Sequence, residues 1–312
     1  MQDSYLGIEI GGTKLQLVRS DAALTIQGRF RQSVDPDRGA TGIREGIQEG
    51  IKTLLGGQEP RAVGIGFGGP VDWRTQQVAC SHHVKGWDGF NLGQWVTEHC
   101  GAPVFIDNDA NVAGLAEALH GAGRGYNPVF YITLGSGVGG GLIVNGSIYH
   151  GTIPGESEIG HLRLNREGMI LEDSCSGWAV DRKIRAAIEG APSSELARHV
   201  KSTQGPAAKA LGPALGAKDP LALSILDATT EDLALGLSHV IHLQHPETVI
   251  IGGGLSLLGQ PLIDAVEKAL PKYVMEIMHP PPRLQLAQLI EDVVPIGALA
   301  LAKLGVTKAK EQ

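Results

Sequence analysis

YLGIEIGGTKLQLV (5–18) and VFYITLGSGVGGGLIV (129–144) share one pattern: an apolar run, a cluster of glycines, then almost at once a second apolar run. That pattern predicts a β-hairpin whose turn is stripped of side chains. One such turn is ordinary. Two of them facing each other would present bare main-chain N–H groups, the equipment for holding a polyphosphate between two lobes.

Working outward, the first hairpin (strands at 5–11 and 13–19) leads to a strand near 24–33, a helix over 41–55 and the strand AVGIGFG (62–68). A helix near 91–99 and the strand PVFID (103–107) follow, and a helix begins at Asn108 or just after. The second half restarts the programme. It has the hairpin 129–144, a strand near 147–150, helices between 176 and 245, strand TVIIGGG (248–254), helix 260–278, strand RLQLAQL (283–289) and a small apolar helix near 297–304. Glycine-ended strands recur in the same order in both halves, GIEIGG then GIGFGG, ITLGSG then VIIGGG, which reads as a duplication of topology. Alternating strands and helices predict an α/β protein with mixed sheets covered by helices. The lobe boundary is expected near 115–127, where GAGRGYNP breaks a helix. A small N-terminal lobe would then hold 1–118 with the C-terminal helix (297–312), and a larger lobe 119–296.

Bulk composition fits this reading. The 312 residues, 42% of them hydrophobic, suffice for a sizeable core in two lobes. A formal net charge of −7 without a basic stripe gives a nucleic-acid role no electrostatic support. No segment reads as a leader or a membrane span. Cys80, Cys100 and Cys175 lie far apart, with neither a disulfide framework nor a CxxC knuckle, so a reducing cytoplasm is expected.

Five segments can carry chemistry. In the first turn, Gly11 and Gly12 admit close backbone approach, Thr13 offers a hydroxyl and Lys14 a point charge; a plain hairpin turn would also use the glycines. No helix follows, so this is neither a Walker A loop nor a Rossmann fingerprint. The second turn, Gly135, Ser136 and Gly137 followed by Gly139–Gly141, is barer still and reads as a phosphate contact. Gly252–Gly254 end an apolar strand, where open α/β sheets place nucleotides, although close βα packing needs glycine there too. In IDNDANVAGLAEA (106–118), helix capping explains one polar residue but not the crowding of Asp107, Asn108, Asp109 and Asn111. Asp109 is the candidate general base and Asn108 a substrate contact. Finally, GESEIGHLRL (155–164) sets Glu158 and His161 close together, with Glu172 further on; these suit sugar hydroxyls, or are solvated loop charges.

Taken in order, GIEIGGTK (7–14), GFGGPVD (66–72), WDGFNL (87–92), DNDAN (107–111), LGSGVGGG (134–141), EIGH (158–161), PETVIIGGG (246–254) and GALALA (297–302) resemble the ROK family (repressors, open reading frames and sugar kinases) of the hexokinase–actin superfamily. No helix-turn-helix is read before the first strand, which points to the kinase branch. The resemblance implies a duplicated actin-like, ribonuclease H-like two-lobe ATPase fold with a cleft between the lobes that closes to exclude water. It implies an ATP-dependent hexose kinase acting on the sugar 6-hydroxyl, glucokinase first. Fructokinase, N-acetylmannosamine kinase and polyphosphate glucokinase are rivals, and a sugar-sensing protein without catalysis is the non-enzyme alternative. ATP would lie against 11–14 and 135–137, with its adenosine end near Gly253 and Gly254. Asn108, Asp109, Glu158, His161 and Glu172 would hold sugar, Asp109 as catalytic base, with Mg²⁺ on the phosphates. A cytoplasmic homodimer without nucleic-acid or membrane partners is implied as well.

Two departures from the family pattern shape the expectations. Glu9 stands where the family usually has Asp, one methylene longer, and is expected to reach Mg²⁺ through water. The family's zinc cysteines have no counterpart in LRLNREGMIL (162–171), so no structural zinc is expected and His161 is left to contact sugar directly.

Overall fold

The computed structural model describes residues 4–79, 84–152 and 157–309. In chain order the elements are β1 (Tyr5–Ile10), β2 (Lys14–Ser20), β3 (Ile26–Ser33), α1 (Gly39–Leu55), β4 (Ala62–Phe67), β5 (Val71–Asp72), β6 (Gln77–Val78), α2 (Leu92–Cys100), β7 (Val104–Asn108) and α3 (Asp109–His120). Then come β8 (Val129–Leu134), β9 (Val138–Val144), β10 (Ser147–Ile148), α4 (Leu171–Cys175), α5 (Gly177–Gly190), α6 (Glu195–Ser202), α7 (Leu211–Gly216) and α8 (Pro220–Gln244). The chain closes with β11 (Thr248–Gly252), α9 (Gln260–Ala269), β12 (Arg283–Leu286) and α10 (Val293–Lys308).

The two main sheets run β3-β2-β1-β4-β7 and β10-β9-β8-β11-β12. Position by position these are the same order, so the duplication read from the glycine-ended strands is a duplication of sheet topology. In the first sheet β3, β2 and β1 are antiparallel and β1, β4 and β7 parallel. In the second, β8, β11 and β12 are parallel. The parallel strands β4, β8 and β11 are almost wholly buried, which is why AVGIGF, VFYITL and TVIIG read as continuous apolar runs instead of alternating ones.

The chain divides into two compact units: one holds residues up to Arg124 with Gly141–Ser157 and everything from Leu289, the other Gly125–Gly140 with Glu158–Gln288. In the first unit the core gathers Leu6, Ile8, Leu17, Ile43, Ile47, Ile65, Phe67 and Trp87. Helix α10 packs on β1, β4 and α3. These contacts are backbone to backbone: a Cβ on Gly64 of β4 would stand 1.8 Å from the Ala298 carbonyl oxygen, and one on Gly297 would stand 2.0 Å from that of Val112 in α3. In the second unit α8 packs against α4, α5 and α9.

Three elements differ from expectation, each for a local reason. Helix α9 ends at Ala269 and gives way to short 3₁₀ turns at Leu270–Lys272 and Glu276–Met278, because Pro271 cannot continue the α-helical ladder. Helix α10 begins four residues before 297, since Pro295 falls within its first turn, where a missing N–H costs nothing. Gly139, Gly140 and Gly141 lie within β9 and not in the turn; a Cβ on Gly141 would stand 2.9 Å from Asn111 Cα, so this strand is bare where the start of α3 lies against it. No helix among the described residues is long and apolar enough to cross a membrane.

Candidate active site

The first unit carries the predicted base. Strand β7 ends at Asn108, whose side-chain oxygen accepts from Ala110 N at 2.8 Å and caps α3, so capping and site roles fall on the same residue. The Asn108 amide also donates to the Gly69 carbonyl at 3.2 Å. Asp109 is the first residue of α3, half-buried, in the turn whose unpaired N–H groups favour negative charge. A Cβ on Gly68 would stand 3.3 Å from Asp109 Oδ2 and 3.5 Å from Gly11 Cα. The predicted base and the first glycine turn therefore meet at the Gly68 backbone, which donates from its own N–H to the Ile10 carbonyl at 2.8 Å.

That first turn is tight: Gly11 N donates to Lys14 O at 2.9 Å, and Thr13 is left exposed at the tip. Lys14 Nζ lies 3.0 Å from Glu9 Oε1, and Gln16 Nε2 donates to Glu9 Oε2 at 3.1 Å. Gln16 is fully buried and its oxygen accepts from Arg29 Nη1 at 2.8 Å and from Arg31 Nε. Burial pushes the Glu9 carboxyl above its ordinary value, outweighing the opposing pull of Lys14, Gln16 and Arg31. Sequence reasoning missed Gln16, because a glutamine inside a strand reads as a solvent-facing residue.

Behind the corner, Asp107 is 2% exposed and fully engaged. One oxygen accepts from Asn108 N and Asn111 Nδ2, both at 2.9 Å, and the other from His150 Nε2 at 2.6 Å. The His150 ring stacks on Trp73 with centroids 4.5 Å apart. Neither His150 nor Trp73 carried any signal in the sequence.

The second unit holds the other candidates. In the second glycine turn Gly135 N donates to Gly137 O at 3.0 Å, Ser136 is exposed, and Gly177 N at the start of α5 donates to Gly135 O at 2.7 Å. Glu172, on α4, accepts from Val138 N at 2.8 Å, and a Cβ on Gly137 would stand 2.5 Å from that same carboxylate oxygen. The 3₁₀ turn Ile159–His161 packs on the same residue, since a Cβ on Gly160 would stand 2.2 Å from Val138 O. The structure thus gathers the elements carrying Glu158, His161 and Glu172 around the start of β9, with Glu158 and His161 exposed and Glu172 half-buried.

Segment 162–171 closes on itself through Leu171 N to Leu162 O (2.9 Å) and Leu164 N to Met169 O (2.8 Å). Cys175 is buried, donates to the Thr229 carbonyl at 3.4 Å, and its thiol is pushed up to about 12 by burial, so it is a poor metal ligand at neutral pH. Cys80 lies outside the described residues. Among those described, no group of three or more His, Cys, Asp or Glu is placed to hold a metal ion.

Gly253 has φ +79°, and a Cβ there would stand 2.5 Å from the Leu134 backbone; close packing accounts for this glycine. Gly254 is exposed and meets nothing nearer than 4.0 Å.

The sequence pattern that describes the ROK family matches residues 5–304. A glucokinase of Halalkalibacterium halodurans is 30% identical, covering 96% of this chain and 94% of that protein. One of Thermotoga maritima is 29% identical, covering 96% of each. Among solved structures, a ROK family glucokinase from Streptomyces griseus in complex with glucose and AMPPNP superposes with a TM-score of 0.84 at 29% identity, over 97% of this chain and all of that one. With the same strand order in both sheets and a match that runs nearly end to end, this chain is a member of the ROK family.

Proposed function

We propose that this protein is an ATP-dependent hexose kinase that transfers the γ-phosphoryl group to the sugar 6-hydroxyl, with glucose as its preferred substrate. The observation that carries the reading is the meeting of Asp109 with the Gly11 turn at the Gly68 backbone, a carboxylate beside a main-chain phosphate cradle. The glucokinase relatives supply the sugar.

In this reading Asp109 takes the proton of the 6-hydroxyl as that oxygen attacks the γ-phosphorus in line, and ADP leaves. Asn108, Glu158, His161 and Glu172 hold the other hydroxyls, each able to accept from or donate to an alcohol. Main-chain N–H groups of Gly12 and Gly137, with Thr13, Ser136 and Lys14, hold the phosphates, while the Gly11 and Gly135 N–H groups close the two turns on Lys14 O and Gly137 O, and Gly253 and Gly254 lie at the adenosine end. Mg²⁺ bound with the nucleotide would neutralise phosphate oxygens. Both oxygens of Glu9 already accept a hydrogen bond, with lone pairs left over, so the carboxylate suits a water-mediated contact with that ion better than direct ligation. The protein needs no structural zinc, because segment 162–171 has no thiolate to offer. The cytoplasmic homodimer expected from the family belongs to the same proposal.

A coupled assay over a hexose panel, run with ATP and with polyphosphate, tests the reading. Glucose with ATP should be fastest, and Asp109→Asn should lower kcat by at least about a hundredfold. Unchanged turnover in that variant would remove Asp109 as the base.

A further inference from the structure

The buried Asp107 carboxylate joins the β7–α3 corner to a distant imidazole, and its arrangement is costly unless used. A carboxylate 2% exposed must have every oxygen satisfied. Two of its three donors are local, Asn108 N and Asn111 Nδ2. The third, His150 Nε2, is 43 residues away, and its 2.6 Å separation is that of a strong charge-assisted bond. The imidazole is in turn clamped flat on Trp73, with an interplanar angle of 20°. The local donors fix one oxygen; among the described residues His150 alone fixes the other, and with it the rotation of the carboxylate about the corner.

The next two residues are Asn108 and Asp109. Any rotation of the Asp107 carboxylate carries the Asn108 N–H that it holds, and thereby tilts the peptide that carries the Asn108 Cα, the residue directly before Asp109. We propose that His150 is a positioning residue for phosphoryl transfer: through Asp107 it locks the β7–α3 corner that presents Asn108 and Asp109. The inference rests on the reading of Asp109 as the base. Positioning of this kind acts on the geometry of attack more than on ground-state affinity, and an ångström of misplacement can cost orders of magnitude in rate.

Three variants test it. His150→Phe keeps the ring on Trp73 but removes the donor, and should lower kcat by about ten- to a hundredfold with the glucose KM changed less than about threefold. His150→Gln can return a donor near the Nε2 position and should recover most of the lost kcat. Asp107→Asn should lower kcat similarly, and the double variant with His150→Phe should be no worse than the poorer single variant, since both break one link. Full kcat in His150→Phe, or a loss that tracks melting temperature and is not rescued by Gln, overturns the proposal. If His150→Phe fails to fold, the Asp107→Asn and His150→Gln turnover numbers decide alone: equal to wild type in Asp107→Asn, they sink it. An inactive Asp109→Asn beside a fully active His150→Phe rejects only the positioning role, whereas an active Asp109→Asn rejects the base.

Discussion

Lys14 Nζ and Glu9 Oε1 stand 3.0 Å apart, so the cation assigned to the phosphates and the carboxylate assigned to Mg²⁺ neutralise each other across the first hairpin. The pair is lopsided. Burial raises the Glu9 carboxyl above its ordinary 4.5 despite the lysine, so the native protein binds that proton more tightly than the unfolded chain does. A raised folded value means a stabilising contribution that is complete below 4.5 and is lost as pH rises through the folded value. Glu9→Gln should therefore be at least as stable as wild type at pH 7, and should become relatively less stable as pH falls toward 4.5. Denaturant melts of both proteins across that range check it; a wild type that gains on Glu9→Gln with rising pH reverses the sign.

Glu172 answers a different question, namely why Gly137 has no side chain. A Cβ there would stand 2.5 Å from Glu172 Oε2, the oxygen that accepts from Val138 N. Gly137→Ala should push the carboxylate off that N–H, costing about 1–3 kcal/mol for the unsatisfied buried donor. Because Glu172 is also an assigned sugar contact, the glucose KM should rise together with the fall in melting temperature. A melting loss with an unchanged glucose KM would separate the packing role from the binding role.

Much of this was legible in the chain. The strand–glycine–strand units gave both hairpins, and recurrent glycine-ended strands gave the repeated sheet order, because buried parallel strands must be written as unbroken apolar runs. The start of α3 at Asn108 and Asp109 was legible because Asn and Asp are favoured where a helix must be capped. What stayed hidden depends on distant partners. Gln16 is buried, and its oxygen is satisfied by Arg29 and Arg31 of β3. Gly253 packs on the Leu134 backbone, and Gly141 on the first turn of α3. His150 reads as an ordinary loop histidine until folding sets it against Asp107.

The two described cysteines should be silent in the native protein. Cys175 is fully buried with its thiol pushed up to about 12, and Cys100 sits in the first core with its thiol pushed up to about 11, in both cases by burial. Thiolate is the reacting species, so neither should be alkylated by iodoacetamide at pH 8 until the protein unfolds. Peptide mapping by mass spectrometry after brief labelling, with and without denaturant, reads this directly. Labelling of Cys175 in the native state would mean that α4 opens from α8, and Glu172 with it.

The seam between α10 and the first sheet leaves the least room of all. On Gly64 a Cβ would stand 1.8 Å from the Ala298 carbonyl oxygen, and that neighbour is helix backbone, which cannot swing aside as a side chain can. Gly64→Ala should force α10 away from β4 and lose about 3 kcal/mol or more, the upper end of the cost of overpacking a core. Gly56→Ala is a useful contrast. That residue caps α1 at φ +56° with nothing within 4 Å, so only backbone strain of about 1 kcal/mol should appear. Melts of the two variants side by side distinguish steric exclusion from conformational strain. If Gly64→Ala proved the milder of the two, helix α10 would have to be far more loosely seated on β1 and β4 than its backbone contacts require.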